Sequence, residues 1–372
     1  MFQPTSPRGR RVARVSLAAA AGTALAAALT TVAVSPAQAA TVGSTTHRLG
    51  VMPTISGATQ ARTLAAIHAA TGPETLSYGG GISGIGVTSG HPKVYLVFYG
   101  SQWGTQGKDA NGNLTFSNDP DKGAPVAQMM FKGLGTGSEQ WSGTMTQYCD
   151  GSLVKAGATS CSASAAHVPY PTGGVLSGVW YDNAAKSPQT ASGHQLGVVA
   201  LSAAHHFGNT TAASNRYAFY VILSPHGTNP DSYQGAYCAW HDYNGDTTLT
   251  GGAVTSNVGN FSFSNQPYNM DSGAGCGVDF LNAGSKGTLD GWTITLGHEY
   301  AENITDMDPA GGWTNNQASS AWFGQENGDE CAWLLGVHGG VANVKMGNGT
   351  YTEQGTWSND TNICEIAHAT VT

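Results

Sequence analysis

Two uninterrupted apolar runs, Val94-Tyr95-Leu96-Val97-Phe98-Tyr99 and Tyr217-Ala218-Phe219-Tyr220-Val221-Ile222-Leu223, constrain this chain more than any other feature. Each has the length of one strand, is rich in β-branched and aromatic residues, and lacks the alternation expected of a strand with one wet face. Each therefore reads as a strand buried on both sides. Such a sheet needs covering layers. Residues Gly123 to Leu134 carry Val126, Met129, Met130 and Leu134 at helical spacing, and His194 to His206 form a second helical stretch before the second run. This alternation predicts an α/β fold, a layered mixed β-sheet flanked by helices, with irregular or antiparallel pieces in the Gly- and Ser/Thr-rich region 251–286. Strand order stays open.

The chain is long enough, at 372 residues and 40% hydrophobic, to bury one large core, and it shows no fixed-period repeat. Its first part is not core. Arg8, Arg10, Arg11 and Arg14 precede an Ala-rich run from Val15 to Val34, and Ala37-Gln38-Ala39 fits a small-x-small cleavage site. Residues 1–39 therefore read as a secretory signal peptide, with the general and twin-arginine routes both open. A run that ends in a cleavage site rather than a charged stop implies no stable membrane anchor. Residues 40–90 hold one short helical candidate, Ala58 to Ala70, and Tyr78-Gly79-Gly80-Gly81, so they are expected as a linker or a pro-segment. Residues 91–372 are then a single domain.

Cleavage after Ala39 leaves 11 basic against 23 acidic residues, a net of −12. An acidic chain without a polybasic stretch gains nothing from counter-ion release, which argues against nucleic acid and anionic membranes as partners. In an exported protein, the even set Cys149, Cys161, Cys238, Cys276, Cys331 and Cys364 favours disulfides. Six cysteines allow 15 connectivities. The sequential pairing closes the shortest loops and is the one expected.

The chemistry concentrates near the C-terminal third. From Thr288 or Asp290 as N-cap, Gly291 to Asp306 reads as one helix containing Gly297-His298-Glu299-Tyr300-Ala301-Glu302. His298 and Glu302 are four apart, so both leave one face and can grip one ion, with Glu299 beside them as a general base. Zinc peptidases use His-Glu-x-x-His in this manner; here a carboxylate stands at the second ligand position. The alternative is a surface helix, because Trp292, Leu296, Tyr300 and Ile304 form an apolar stripe and His298 lies about 200° round from Leu296. Glu326-Asn327-Gly328-Asp329-Glu330-Cys331 begins 24 residues beyond Glu302. Glu326 or Asp329 is a candidate third ligand, the other orienting His298 through its free ring nitrogen, and Cys331 a tether. Asp306 and Asp308 are further candidates, although Asp308-Pro309 with Gly311-Gly312 reads mainly as a helix exit and turn.

His298-Glu299-Tyr300-Ala301-Glu302, Thr305-Asp306, Pro309, Gly312-Trp313 and Glu326-x-x-Asp329-x-Cys331 resemble the C-terminal half of the exordium, or phosphate-induced protein 1, family and its secreted bacterial relatives. Val94 to Gly100, Tyr220 to Leu223 and Cys238-Ala239-Trp240-His241 extend the resemblance, in patches, over residues 92 to 335. It implies an extracellular α/β protein and, from the bacterial side, a zinc-dependent peptidase. His298 and Glu302 would then be metal ligands, Glu299 the base, Glu326 or Asp329 an accessory acid, and His241 a further ligand or transition-state donor.

Other motifs carry less. Asp242-Tyr243-Asn244-Gly245-Asp246 and Asp109-Ala110-Asn111-Gly112-Asn113 fail the calcium-loop pattern and read as turns. The chain has no Gly-x-Ser-x-Gly elbow, phosphate loop or dinucleotide fingerprint. His205-His206 read as surface residues, and Trp313, Trp322 and Trp333 as packing rather than a sugar platform. The expectation is a secreted, monomeric, zinc-dependent hydrolase acting on extracellular polypeptides. The competing expectation is a non-catalytic exordium-like module with structural calcium or no metal.

Overall fold

A computed structural model of the chain describes residues 50–67, 75–318, 320 and 322–371. The signal peptide expected over 1–39 lies outside the described residues. The described residues belong to one compact unit.

Among them, six strands make the central sheet: β1 (Val51–Pro53), β2 (Lys93–Tyr99), β3 (Leu176–Asp182), β4 (Ala218–Leu223), β5 (Tyr237–Tyr243) and β6 (Ser262–Gln266). Their order is β1-β5-β6-β4-β2-β3. The β3-β2, β2-β4 and β4-β6 pairs are parallel, and β6-β5 and β5-β1 are antiparallel. The mixed α/β sheet is therefore as expected. Both apolar runs occupy its centre, where neither face meets water.

The pleat divides each run between two cores. Val94, Leu96, Phe98, Phe219, Val221 and Leu223 face one side, and Tyr95, Val97, Tyr220 and Ile222 the other. Helix α3 (Gly193–His206) covers the second side through Leu196, Val199, Ala200 and Ala203. It opens on a capping box, in which Ser192 Oγ accepts from Gln195 N and the Gln195 side chain accepts from Ser192 N. The first side is covered by α2 (Gly123–Gly133) and α4 (Asp290–Thr305), locked by Trp292 Nε1 donating to Gly123 O at 2.9 Å.

Part of the 40–90 stretch is folded onto this unit. Strand β1 adds an edge to β5, and α1 (Ile55–Ile67) follows it, with Arg62 donating to Ala332 O and Trp333 Nε1 to Pro53 O. A linker reading therefore does not describe residues 50–67. At the other end of the chain, the hairpin β7 (Ala342–Met346) and β8 (Gly349–Glu353) packs against α4.

Three disulfides form in the expected sequential pattern, Cys149–Cys161, Cys238–Cys276 and Cys331–Cys364. Among the described residues, no helix is long and apolar enough to cross a membrane. Trp313 and Trp333 are buried and hydrogen-bonded, and Trp322 is buried, as packing residues should be. Asp109 closes its turn by accepting from Asn111 N and Asn113 N, and His205 and His206 are exposed.

Candidate metal centre

Every residue of α4 is buried, including its polar face. The apolar stripe packs as expected, with Tyr300 against Phe131 and Trp141. The His298–Glu302 face does not meet water: β5 and the loop 326–331 lie over it, so the surface-helix alternative is excluded. The expected N-cap is also corrected. Leu289 occupies the cap without a side-chain bond, while the Asp290 carboxylate turns back to accept from Leu281 N and Asn282 N.

Alternation along β5 aims its side chains. Trp240 faces the α3 side, so the next residue, His241, points to the α4 side. The acidic loop is held in place by backbone bonds, with Gln354 Nε2 donating to Gly328 O and Trp357 N to Asn327 O, each at 2.7 Å. The Cys331–Cys364 bridge tethers its end. His241, His298, Glu299, Glu302, Glu326 and Asp329 thus meet from three separate segments, none more than 3% exposed.

Around His241, Nδ1 lies 3.5 Å from Glu299 Oε2, 3.6 Å from Glu302 Oε2 and 3.9 Å from Glu326 Oε2. Its Nε2 donates to the carbonyl oxygen of Asp306 at 3.0 Å. A carbonyl can only accept, so Nε2 carries the proton and Nδ1 presents a lone pair to the acids when the ring is neutral. On the other side of Glu302, His298 Nε2 is 2.9 Å from Glu302 Oε1 and 3.7 Å from Asp329 Oδ1. The 2.9 Å approach is an ion-pair contact, and Nε2 has no hydrogen bond among the described residues.

These side chains form two trios with mutually close donor atoms, His298-Glu302-Asp329 and His241-Glu302-Glu326. His241 Nδ1, both His298 ring nitrogens, both oxygens of Glu299 and Glu326, Glu302 Oε2 and Asp329 Oδ1 are buried without a hydrogen-bond partner among the described residues. Buried polar groups are normally satisfied, so a concentration of orphaned nitrogen and oxygen donors fits a bound cation. The residues therefore suit a metal ion.

The protein groups perturb one another strongly. Burial works to lower both histidines, yet Glu299 and Glu302 outweigh it at His241, holding its pKa well above the usual value. Glu302 does the same at His298, raised to about 9. Burial raises Glu299 to about 7 against the pull of His241 and His298. Glu302 resists burial and falls to about 2, because both imidazoles face it. Burial, reinforced by neighbouring acids, lifts Glu326 and Asp329 well above the carboxylate range.

The candidates named from the sequence thus converge, with Asp329, one of the two third-ligand candidates, near His298 and Glu302. Asp329 joins His298 as a ligand candidate, whereas Glu326 belongs with His241. The carboxylate expected on the free ring nitrogen of His298 is not there: Nδ1 has no hydrogen-bond partner among the described residues. Asp306 is a helix exit, its carboxylate accepting from Ala310 N and Gly312 N, and its carbonyl also orients His241.

Two glycines permit the closeness. At Gly328, φ is −80°, so backbone freedom is not the reason; a Cβ there would stand 2.8 Å from both His298 Nδ1 and Glu302 Oε1. At Gly50, in the left-handed region at φ +69°, a Cβ would stand 2.7 Å from the His241 ring. A Gly inside an acid-rich, Cys-bearing loop was the available signal for the first. Nothing local in the sequence signals the second. No family model, curated protein or solved structure matches the chain.

Proposed function

We propose that this protein is an exported metal-dependent hydrolase, a zinc peptidase that cleaves amide bonds in extracellular polypeptides as a monomer. The observation that carries this reading is the meeting of two imidazoles and four carboxyl groups in one buried cluster, most of whose nitrogen and oxygen atoms have no hydrogen bond among the described residues. His298, Glu302 and Asp329 would hold zinc, matching a tetrahedral nitrogen and oxygen set with one position left for substrate or water. Zinc there would supply Lewis acidity toward water and the scissile carbonyl. Glu299 lies between two ligand candidates in the chain, with both oxygens free of hydrogen bonds among the described residues. It accepts the proton of the attacking water and returns it to the leaving amine. The patchwise resemblance to the secreted relatives of the exordium family supports the same assignment.

The enclosure of the pocket bears on access. Gly50 lies against His241, and β1 closes the adjoining sheet edge through only three paired residues. In this reading residues 50–67 are a pro-segment, and their release admits a substrate. The same enclosure favours a second reading, a structural metal in a non-catalytic extracellular module. Two imidazoles nevertheless suit zinc better than the calcium of that alternative, which prefers oxygen donors throughout.

The deciding experiment is casein cleavage by the exported protein, with and without chelator, beside Glu299→Gln. The peptidase reading expects chelator-sensitive cleavage and a loss of at least ~100-fold in Glu299→Gln, with zinc retained. Cleavage unaffected by both treatments, or none by the processed protein, contradicts it.

A further inference from the structure

One ion on His298, Glu302 and Asp329 leaves half of the pocket unexplained. His241 Nδ1 and both Glu326 oxygens are buried without a hydrogen bond among the described residues, and Nδ1 stands 3.6 Å from Glu302 Oε2 and 3.9 Å from Glu326 Oε2. The two oxygens of Glu302 are divided between the rings: Oε1 stands beside His298, and Oε2 faces His241.

Donor spacing fits coordination on both sides. With bonds of about 2.1 Å, two ligands on one ion stand about 3.0 Å apart at right angles and about 3.4 Å apart in a tetrahedron. The measured separations are 2.9 and 3.7 Å from His298 Nε2 to Glu302 and Asp329, and 3.6 and 3.9 Å from His241 Nδ1 to Glu302 and Glu326. Each set is within a few tenths of an ångström of one of these edges.

Charge points the same way. Glu299, Glu302, Glu326 and Asp329 are four buried carboxyl groups, and among the described residues none of them has a lysine or arginine ion-pair partner. With its protons displaced by metal, this set would present four carboxylates and two neutral imidazoles, which two divalent cations would balance and a single one would not. The Nε2–H bond to Asp306 O supplies the outer-shell contact that fixes a ligating histidine, so His241 has the arrangement of a ligand rather than of a passing donor.

We propose that the pocket holds two divalent transition-metal cations, one on His298, Glu302 and Asp329 and one on His241, Glu302 and Glu326, with the Glu302 carboxylate bridging them. This inference rests on the metal-centre reading above and deepens it. A carboxylate-bridged pair places its ions about 3.5–4 Å apart, the spacing at which two cations can clamp both the attacking and the leaving atoms of a hydrolysis.

The test counts zinc. The exported protein is stripped with a chelator, equilibrated with zinc and assayed for bound metal per chain, beside His241→Ala and Glu326→Gln. The expected result is two zinc ions per chain in the unaltered protein and one in each variant. One zinc in the unaltered protein, or two retained in His241→Ala, overturns the two-ion proposal while leaving the hydrolase reading standing; no zinc overturns both. Should the variants fail to fold, zinc-edge X-ray absorption on the unaltered protein decides. A zinc–zinc distance of about 3.5–4 Å supports the bridge, and its absence at two equivalents overturns it.

Discussion

His241 Nε2 donates to the carbonyl oxygen of Asp306 at 3.0 Å, joining the sheet to the residue that ends α4. One bond thereby orients a β5 side chain and satisfies a helix-terminal carbonyl. It also sets which nitrogen faces the acids. Because Asp306 in turn holds the backbone of Ala310 and Gly312, the strand, the helix and the turn after it form one support for the pocket.

Gly328→Ala should damage the pocket without unfolding the protein. Its Cβ would come 2.8 Å from His298 Nδ1 and Glu302 Oε1, both held by buried surroundings. Overpacking of this kind costs about 1–3 kcal/mol. The expected outcome is weakened zinc binding, by chelator competition, with little change in far-UV circular dichroism. Unaltered zinc affinity would show that the loop does not press on the two ligands.

The Cys331–Cys364 disulfide should matter to the pocket more than Cys149–Cys161 does. The first anchors the segment bearing Glu326 and Asp329 to the C-terminal strands, and the second ties a loop elsewhere. A closed loop of 33 residues contributes about 3–4 kcal/mol in the chain-entropy account. Double Cys→Ser replacement of each pair, followed by melting and zinc titration, should lower Tm in both cases and lower zinc affinity only in the 331–364 variant. Equal affinities in the two variants would contradict the tether.

Glu353 is buried on β8, and neither of its oxygens has a hydrogen-bond partner among the described residues. Burial, aided by Glu139, raises its pKa well above that of an ordinary carboxylate. The folded protein therefore keeps a proton that the unfolded chain releases above its ordinary value of 4.5, and this group's contribution to stability falls as pH rises toward the folded pKa. Glu353→Gln should raise Tm at pH 7, by about 2 °C or more, and the gain should vanish near pH 4. A Tm difference independent of pH would contradict this account.

The covering role of β1 predicts where the active protein begins. Gly50 lies against the His241 ring and β1 pairs with the β5 edge, so on the peptidase reading that segment would have to leave before a polypeptide reached the cluster. N-terminal sequencing of the casein-cleaving species should give a start beyond Pro53. Full activity in protein that retains Gly50 would contradict the pro-segment reading.

Much of the scaffold was legible because burial on both faces removes alternation from a strand. The runs at 94–99 and 217–223 and the helices at 123–134, 194–206 and 291–306 match β2, β4, α2, α3 and α4 to within a residue or so at each end. Less was legible for β1, which is three residues long and owes its existence to the β5 edge. The β7–β8 hairpin gave no reading at all. The helical wheel left α4 open between a surface face and a covered one, because an isolated period cannot register β5 and the 326–331 loop arriving over the polar face. His298, Glu299 and Glu302 were visible through their spacing. The division of Glu326 and Asp329 between two histidines was not, since it depends on a turn that only tertiary bonds such as Gln354 to Gly328 determine.

The central claim is that these orphaned donors enclose a cation, and anomalous diffraction at the zinc edge from crystals of the exported protein tests it most directly. A peak within about 2.0–2.2 Å of His298 Nε2 and of oxygens of Glu302 and Asp329 is the predicted result. A featureless anomalous map at full zinc saturation, with the same side chains hydrogen-bonded to one another or to water, would contradict it.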